Sequence, residues 1–259
     1  AAATKLPTTQ QGAKVHRTSA SAPQSVAADA LLATAPPAPP EPQTIAETGL
    51  TETELEALVL KVLLQHGNCT GAQISDIICL SRAVVTEMLD RLRDELLVGI
   101  KASAGVSDYI YQLSDSGHQR AQRHSQRCRF VSAAPVPLEV YNQAVARQSL
   151  SHAELSLEKL GEAMGDLVLR PAMLSQIGQA LNDGRGMFLY GDPGNGKTSM
   201  AERVCNAFGR CIWIPRMITS GSEMIRLFDA SCHENVDSAA LTATKYDRRW
   251  VLIRRPTIV

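Results

Sequence analysis

The stretch 189–200, LYGDPGNGKTSM, decides how the C-terminal part of this chain is read. An apolar run, Met187-Phe188-Leu189-Tyr190, leads into a glycine-rich turn that ends at Lys197 and Thr198. The spacing G-x-x-x-x-G-K-[ST] is that of a loop built to cradle phosphates. Gly191, Gly194 and Gly196 permit positive φ and a close approach of backbone to ligand. The N–H groups from about Gly194 to Thr198 then converge on α- and β-phosphates, at the positive end of a helix starting near Lys197. Lys197 reaches toward the β- and γ-phosphates, and the Thr198 hydroxyl is placed to hold Mg²⁺. Pro193 stiffens the turn, and Asn195 and Ser199 complete the candidate contact set. Behind the loop, KTSMAERVCNAFG reads as a helix with Met200, Val204 and Phe208 on one side, stopping at Gly209. Strand, loop and helix are the context this motif requires.

The remainder of the chain narrows the alternatives. Its 259 residues leave room for about two domains, on the usual ~100–200 residues each. Lys plus Arg and Asp plus Glu both number 26, so no global field draws the chain to nucleic acid or an anionic membrane. Aromatic residues make up only 4%, which suits a helical or α/β protein better than a sandwich. The six cysteines, at 69, 79, 128, 205, 211 and 232, form no C-x-x-C pair and read as reduced thiols. No apolar run of about 18 residues occurs, so no membrane span is expected. A signal-peptide layout is lacking too, and the expected compartment is the cytoplasm. No initiator Met is present, which raises the expectation of a fragment or a processed form.

Residues 1–48 are rich in Ala, Thr, Ser, Gln and Pro, with Pro36, Pro37, Pro39, Pro40 and Pro42 inside APPAPPEP. Such a segment reads as a disordered arm with a short polyproline piece, a spacer or a ligand for a proline-binding module. Order is expected from TETELEALVLKVLLQHG, where Leu55, Leu58, Val59, Val62 and Leu63 make one helical stripe. Thr51 with Glu54, or Thr53 with Glu56, offers a capping box. GAQISDIICL gives a short second helix, and Ser81 caps a third with Val85, Met88, Leu89, Leu92 and Leu96 along one side. Two strands follow around Ala104-Gly105, and then a basic helix, SGHQRAQRHSQR. Three helices, a hairpin and a basic helix resemble the winged-helix family, over residues 49–130.

That resemblance implies a recognition module for protein or for DNA. The third helix presents Arg82, Arg91 and Arg93, but also Glu87, Asp90, Asp94 and Glu95, a poor balance for facing phosphates. Arg120, Arg123 and Arg127 on the last helix form the candidate patch for nucleic acid or a partner. Protein recognition is the preferred reading, with a DNA-associated ATPase or regulator as the alternative. Residues 131–164 read as a helical linker, with a further capping box at Ser151 and Glu154.

The loop GDPGNGKT, approached by a helix from Pro171 to Asn182, resembles the AAA+ branch of the P-loop ATPases over residues 165–259. The resemblance implies an α/β core with a parallel sheet, ATP with Mg²⁺, a ring-type homo-oligomer and a protein partner. An acidic motif at the end of a second core strand is also implied. The nearest candidate is Asp229 in MIRLFDAS, where Arg226 interrupts the apolar run. CIWIPRMITSGSEMIRLFDASCH instead reads as strands around TSGS, and RRWVLIRR as a further strand. The arginines flanking that strand, 248, 249, 254 and 255, are candidates to act in trans. Cys232, His233 and Glu234 hint at a metal, although adjacent residues cannot all face one ion. A core incomplete at its C-terminus is therefore expected to bind ATP rather than turn it over. A GTPase is disfavoured, because the nearest base-reading motif, Thr244-Lys245-Tyr246-Asp247, has Thr in place of Asn.

Overall fold

The computed structural model describes residues 35–105, 108–149, 155–183, 187–221, 223–236 and 245–255. It is a mixed α/β arrangement with three small sheets. The first helix, α1 (Glu52–His66), starts at Thr51 with the full Thr51–Glu54 capping box and stops at Gly67, whose φ is 75°. Glu56, the other capping candidate, turns to a different task described below. Helix α2 (Gly71–Ile78) carries a second capping box, Thr70 with Gln73. Helix α3 (Arg82–Asp94) is capped by Ser81. Strands β1 (Cys69–Thr70), β2 (Val98–Gly105) and β3 (Asp108–Leu113) make an antiparallel sheet with β3 in the middle. Helix α4 (Asp115–Arg127) follows, capped by Ser114.

These elements enclose one apolar cluster, in which the α1 stripe Leu55, Leu58, Val59, Val62 and Leu63 meets Ile74, Ile78, Val85, Met88, Leu89 and Leu92. Full burial of each such side chain is worth roughly 1.5–3 kcal/mol. Leu96, placed on the α3 stripe by periodicity, lies beyond the helix with φ 57° and is 76% exposed. Lys61, off the stripe, is nonetheless buried, because its Nζ donates to the carbonyls of Cys128 and Phe130 at 3.2 and 2.7 Å. Burial pushes its pKa down.

Two further clusters follow. Strand β4 (Val136–Pro137) pairs parallel with β6 (Met217–Ser220), and β6 pairs antiparallel with β7 (Glu223–Arg226). The TSGS turn therefore connects a hairpin, as its composition predicts, although Ser222 lies outside the described residues. Strand β5 (Cys211–Pro215) pairs antiparallel with β8 (Trp250–Arg254). Val136, Cys211, Trp213, Val236, Trp250 and Leu252 form the second cluster, with Tyr141 and Ala144 of α5 (Leu138–Arg147) against it. The third joins α6 (Leu157–Ala163), α7 (Pro171–Asn182) and α8 (Lys197–Ala207) through Leu160, Met164, Ile177, Met200 and Val204. Helix α6 begins after Ser156, whereas the Ser151–Glu154 box lies outside the described residues.

Three expectations change. A parallel sheet around the glycine loop is not formed among the described residues, since β5–β8 pack with residues 35–38 and 136–144 instead. Residues 131–148 are more than a linker, because β4 enters a sheet and α5 covers the second cluster. Residues 36–48, expected within a disordered arm, are held on the surface. Trp213 Nε1, the Asp247 N–H and Ser81 Oγ donate to the carbonyls of Pro36, Pro39 and Pro42. Ile45 is buried behind them, and residues 1–34 lie outside the described residues.

The arginines at 248 and 249 join the parts. Arg249, 3% exposed, holds Asp247 through Nε and Nη2 at 2.8–3.0 Å and donates Nη1 to the carbonyls of Thr48 and Pro135. Arg248 reaches the end of α2, donating to Asp76 Oδ1, Ser75 Oγ and the Leu80 carbonyl at 2.7 Å each. Both are engaged by partners of their own chain.

Two stability outcomes follow. Asp247→Ala leaves a buried, permanently charged guanidinium without its partner and should cost about 3–5 kcal/mol in urea unfolding followed by tryptophan emission. The double change Asp247→Ala with Arg249→Met should recover most of that loss, and an equal or larger loss would show that the pair is not the cause. Gly117→Ala places a methyl on the Leu97 carbonyl oxygen, where α4 leaves the sheet. Despite the better helix propensity of Ala, it should destabilise by about 1–3 kcal/mol in the same assay.

Candidate functional site

The glycine loop spans the step from the third cluster's edge into α8. Met187 and Leu189 pack inward, whereas Phe188 and Tyr190 are 86% and 84% exposed and stack at 6.2 Å between ring centroids. The expected strand 187–190 thus shows a strand's alternation of faces but joins no ladder among the described residues.

The turn itself has the expected backbone. Gly191, Gly194 and Gly196 have φ of 143°, 85° and 72°. A Cβ built at any of the three meets nothing within 4 Å, so glycine is required here by conformation and not by crowding. Asp192, Pro193 and Asn195 are exposed between them. Helix α8 begins at Lys197, as the motif predicts, with the Met200 N–H bonded to the Gly196 carbonyl at 2.9 Å. Lys197 Nζ folds back over the loop and donates to the carbonyls of Gly191 and Asp192 at 2.9 and 2.6 Å. Thr198 is exposed at the helix start and Ser199 is half-buried beside it. All eight sequence-predicted residues therefore lie on one continuous turn that leaves the backbone open to a ligand.

The loop is steadied by a pair that sequence spacing does not reveal. Arg203, on the second turn of α8, holds both oxygens of Asp166 and donates Nη1 to the Ser199 carbonyl at 2.9 Å. Residues 37 positions apart carry no local pattern, so only a charge of each sign was legible. The guanidinium holds the Asp166 carboxyl below its usual range.

The remaining candidates are placed elsewhere. Asp229 follows β7 and accepts from the Ser231 N–H and Oγ at 2.9 and 2.8 Å. Those bonds, with Arg226 and His233 nearby, depress its pKa, and they engage the carboxylate in a local turn. His233 Nδ1 accepts from the Asp229 N–H at 3.0 Å while its ring stacks on Phe228. No His, Cys, Asp or Glu cluster suited to a metal occurs among the described residues, and that includes 232–234. Arg254 bonds Glu234, and Arg255 Nε donates to the Gly209 carbonyl.

The basic patch is divided. Arg120 pairs with Glu56 at 2.6 Å and Glu95 at 3.2 Å, and His124 Nε2 lies 3.2 Å from Glu56. Arg120 therefore holds α4 against α1, while Arg123 and Arg127 face solvent. On α3, Arg82 meets Asp108, Arg91 meets Glu52 and Glu87, and Arg93 meets Asp90.

No protein-family model matches the chain. It is similar to proteasome-activating nucleotidase 2 of Halobacterium salinarum, at 27% identity over 168 residues, covering 64% of this chain and 33% of that protein. It is also similar to the proteasome-activating nucleotidase of Archaeoglobus fulgidus, at 24% identity over 160 residues, covering 55% of this chain and 40% of that protein. The chain thus spans between a third and two fifths of the length of these curated relatives. Both matches support a relationship to the AAA+ ATPases.

The Asp166–Arg203 pair gives a test of what steadies the loop. A carboxylate whose folded pKa lies below the ordinary 3.8 contributes stability above that value and loses it as pH falls through the folded pKa. Asp166→Asn should lower the thermal midpoint slightly at about pH 7, and the difference should shrink toward about pH 2 as the native carboxyl takes up protons. Parallel curves at both pH values would dismiss the pair as the source.

Proposed function

We propose that this chain binds ATP with Mg²⁺ through residues 191–199, as the nucleotide-binding segment of an AAA+ ATPase that acts on a protein partner. The observation that carries the reading is the turn at Gly191, Gly194 and Gly196 running directly into α8 at Lys197. Backbone N–H groups at a helix start, on a turn whose glycines hold positive φ, suit a polyphosphate. Lys197 would exchange its two neutral carbonyl partners for β- and γ-phosphate oxygens, which as charged acceptors bind an ammonium more strongly. Thr198 would contribute its hydroxyl to Mg²⁺, and the bound metal would neutralise phosphate charge.

The protein partner enters the reading through the relatives, both of which are by name proteasome-activating nucleotidases. Ring-type self-assembly belongs to the same proposal. Residues 49–130 are read as a winged-helix module that recognises protein, which their order of three helices, a three-stranded antiparallel sheet and a fourth helix supports. The internal pairing of Arg120 and of the α3 arginines weighs against DNA. Phosphates would have to displace acids already within 2.6–3.2 Å of Arg82, Arg93 and Arg120.

Binding of a fluorescent ATP analogue with Mg²⁺ tests the proposal. The chain should bind saturably, Lys197→Ala should weaken binding at least about tenfold, and steady-state phosphate release should stay at background for both. Equal binding by the two proteins would reject the loop as the site.

A further inference from the structure

The proline run is a sequence motif that the nucleotide loop does not account for. Between 36 and 42 only Ala38 and Glu41 keep a backbone N–H, so this segment has little to donate to a ladder. It offers carbonyls and small apolar surfaces instead, and the structure uses them at a fixed interval. Pro36 accepts from Trp213 Nε1 at 3.0 Å, Pro39 from the Asp247 N–H at 2.9 Å, and Pro42 from Ser81 Oγ at 2.7 Å. Ala35 and Ala38, also three apart, pack against the second cluster. Three residues per turn is the repeat of the polyproline II helix, so the three acceptors share one edge and the two methyls a neighbouring one. Pro37 and Pro40, again three apart, face solvent.

The receiving surface is aromatic. Trp213 and Tyr246 lie 5.2 Å apart between ring centroids, tilted by 50°, with Tyr141 beside them. The backbone of Trp213 is pinned by one side chain: its N–H donates to Gln148 Oε1 at 2.7 Å, and its carbonyl accepts from Gln148 Nε2 at 3.0 Å. The indole N–H is the group that meets the Pro36 carbonyl. The Asp247 carboxylate is locked by Arg249, which fixes the neighbouring N–H that meets Pro39. Aromatic rings with an indole donor are the means by which grooves read extended proline-rich chains.

We infer that the Trp213–Tyr246 groove is a polyproline-binding site, filled in the closed chain by its own residues 35–42. A proline-rich segment of a protein partner, with a small residue between two proline pairs, takes the same place when it displaces the resident segment. The resident segment competes from the same chain, at an effective concentration on the order of millimolar for a short tether. Intact protein should therefore bind an external peptide weakly, and loosening the resident segment should raise the affinity.

The probe is a fluorescent peptide with the sequence of residues 33–43, ATAPPAPPEPQ, followed by anisotropy without nucleotide. The full chain carrying Pro36→Gly and Pro39→Gly should bind it at least about tenfold more tightly than the unaltered chain. Adding Trp213→Phe, which keeps an aromatic ring and removes the donor, should weaken that binding about three- to tenfold. A peptide with alanine for every proline should not bind. Absence of binding up to millimolar peptide, or equal binding of the all-alanine peptide, overturns the proposal. Should the glycine variant lose the far-UV dichroism of the intact chain, Pro36→Ala with Pro39→Ala serves in its place. The unaltered chain gives a second readout, because its indole N–H signals come from two tryptophans and Trp213→Phe identifies one. That signal should shift with the proline peptide and stay fixed with the alanine peptide, and the reverse pattern overturns the assignment. Nucleotide binding through Lys197 is independent of every one of these outcomes.

Discussion

A buried guanidinium has to be met on every side, and Arg249 meets that demand with groups from three distant parts of the chain. Asp247 supplies the charge, while the carbonyls of Thr48 and Pro135 supply the remaining acceptors. Arginine keeps its proton at any physiological pH, so this site cannot relax by neutralising itself. The entry into α1, the entry into β4 and the start of β8 are thereby tied to one point. Arg248 adjoins it and bonds the C-terminal end of α2. Two adjacent residues thus link the first apolar cluster to the second. The peptide groups beside them complete the junction, with the Arg216 N–H donating to the Arg249 carbonyl at 2.8 Å.

The same logic of local satisfaction explains why a chain with equal numbers of acids and bases shows no continuous basic face on its first module. Each arginine of α3 sits beside an acid, and Arg120 lies between Glu56 and Glu95. Exposed pairs of this kind contribute little to stability, about 0–1 kcal/mol each. On α3 they also lower the net positive charge that the helix could offer a phosphate, because each arginine sits beside an acid. Glu56 is the exception in energy, since it is buried at 7% exposure and holds both Arg120 and His124.

Features set by neighbouring residues were legible in the sequence. The Thr51–Glu54 box, the Ser81 cap, the α1 stripe, the hairpin around TSGS and the start of α8 at Lys197 all follow from spacings of a few residues. The glycine turn belongs with them, because its geometry is fixed by φ at three positions and not by anything distant. What failed to show was set by partners far along the chain. Arg249 to Thr48 spans 201 residues, Trp213 to Pro36 spans 177, and Arg203 to Asp166 spans 37. Side chain-to-carbonyl bonds leave no periodic trace, since every residue offers the same acceptor. The run 187–190 is the complementary case. Its alternation is that of a strand, yet a strand is defined by a ladder partner, and none pairs with it among the described residues.

The proline segment shows how a composition read as disorder becomes ordered. A chain with few large apolar residues cannot build a core of its own, and residues 35–42 do not build one. Their order comes from contacts with the rest of the chain. The prolines have little backbone freedom to lose, so docking costs less entropy than it would for a flexible segment of equal length. Three carbonyls and two alanine methyls then suffice to hold seven or eight residues. The surface that does this depends on Asp247, whose carboxylate serves Arg249 while its N–H serves Pro39. One residue therefore belongs both to the junction that joins the parts of the molecule and to the groove that reads the proline segment.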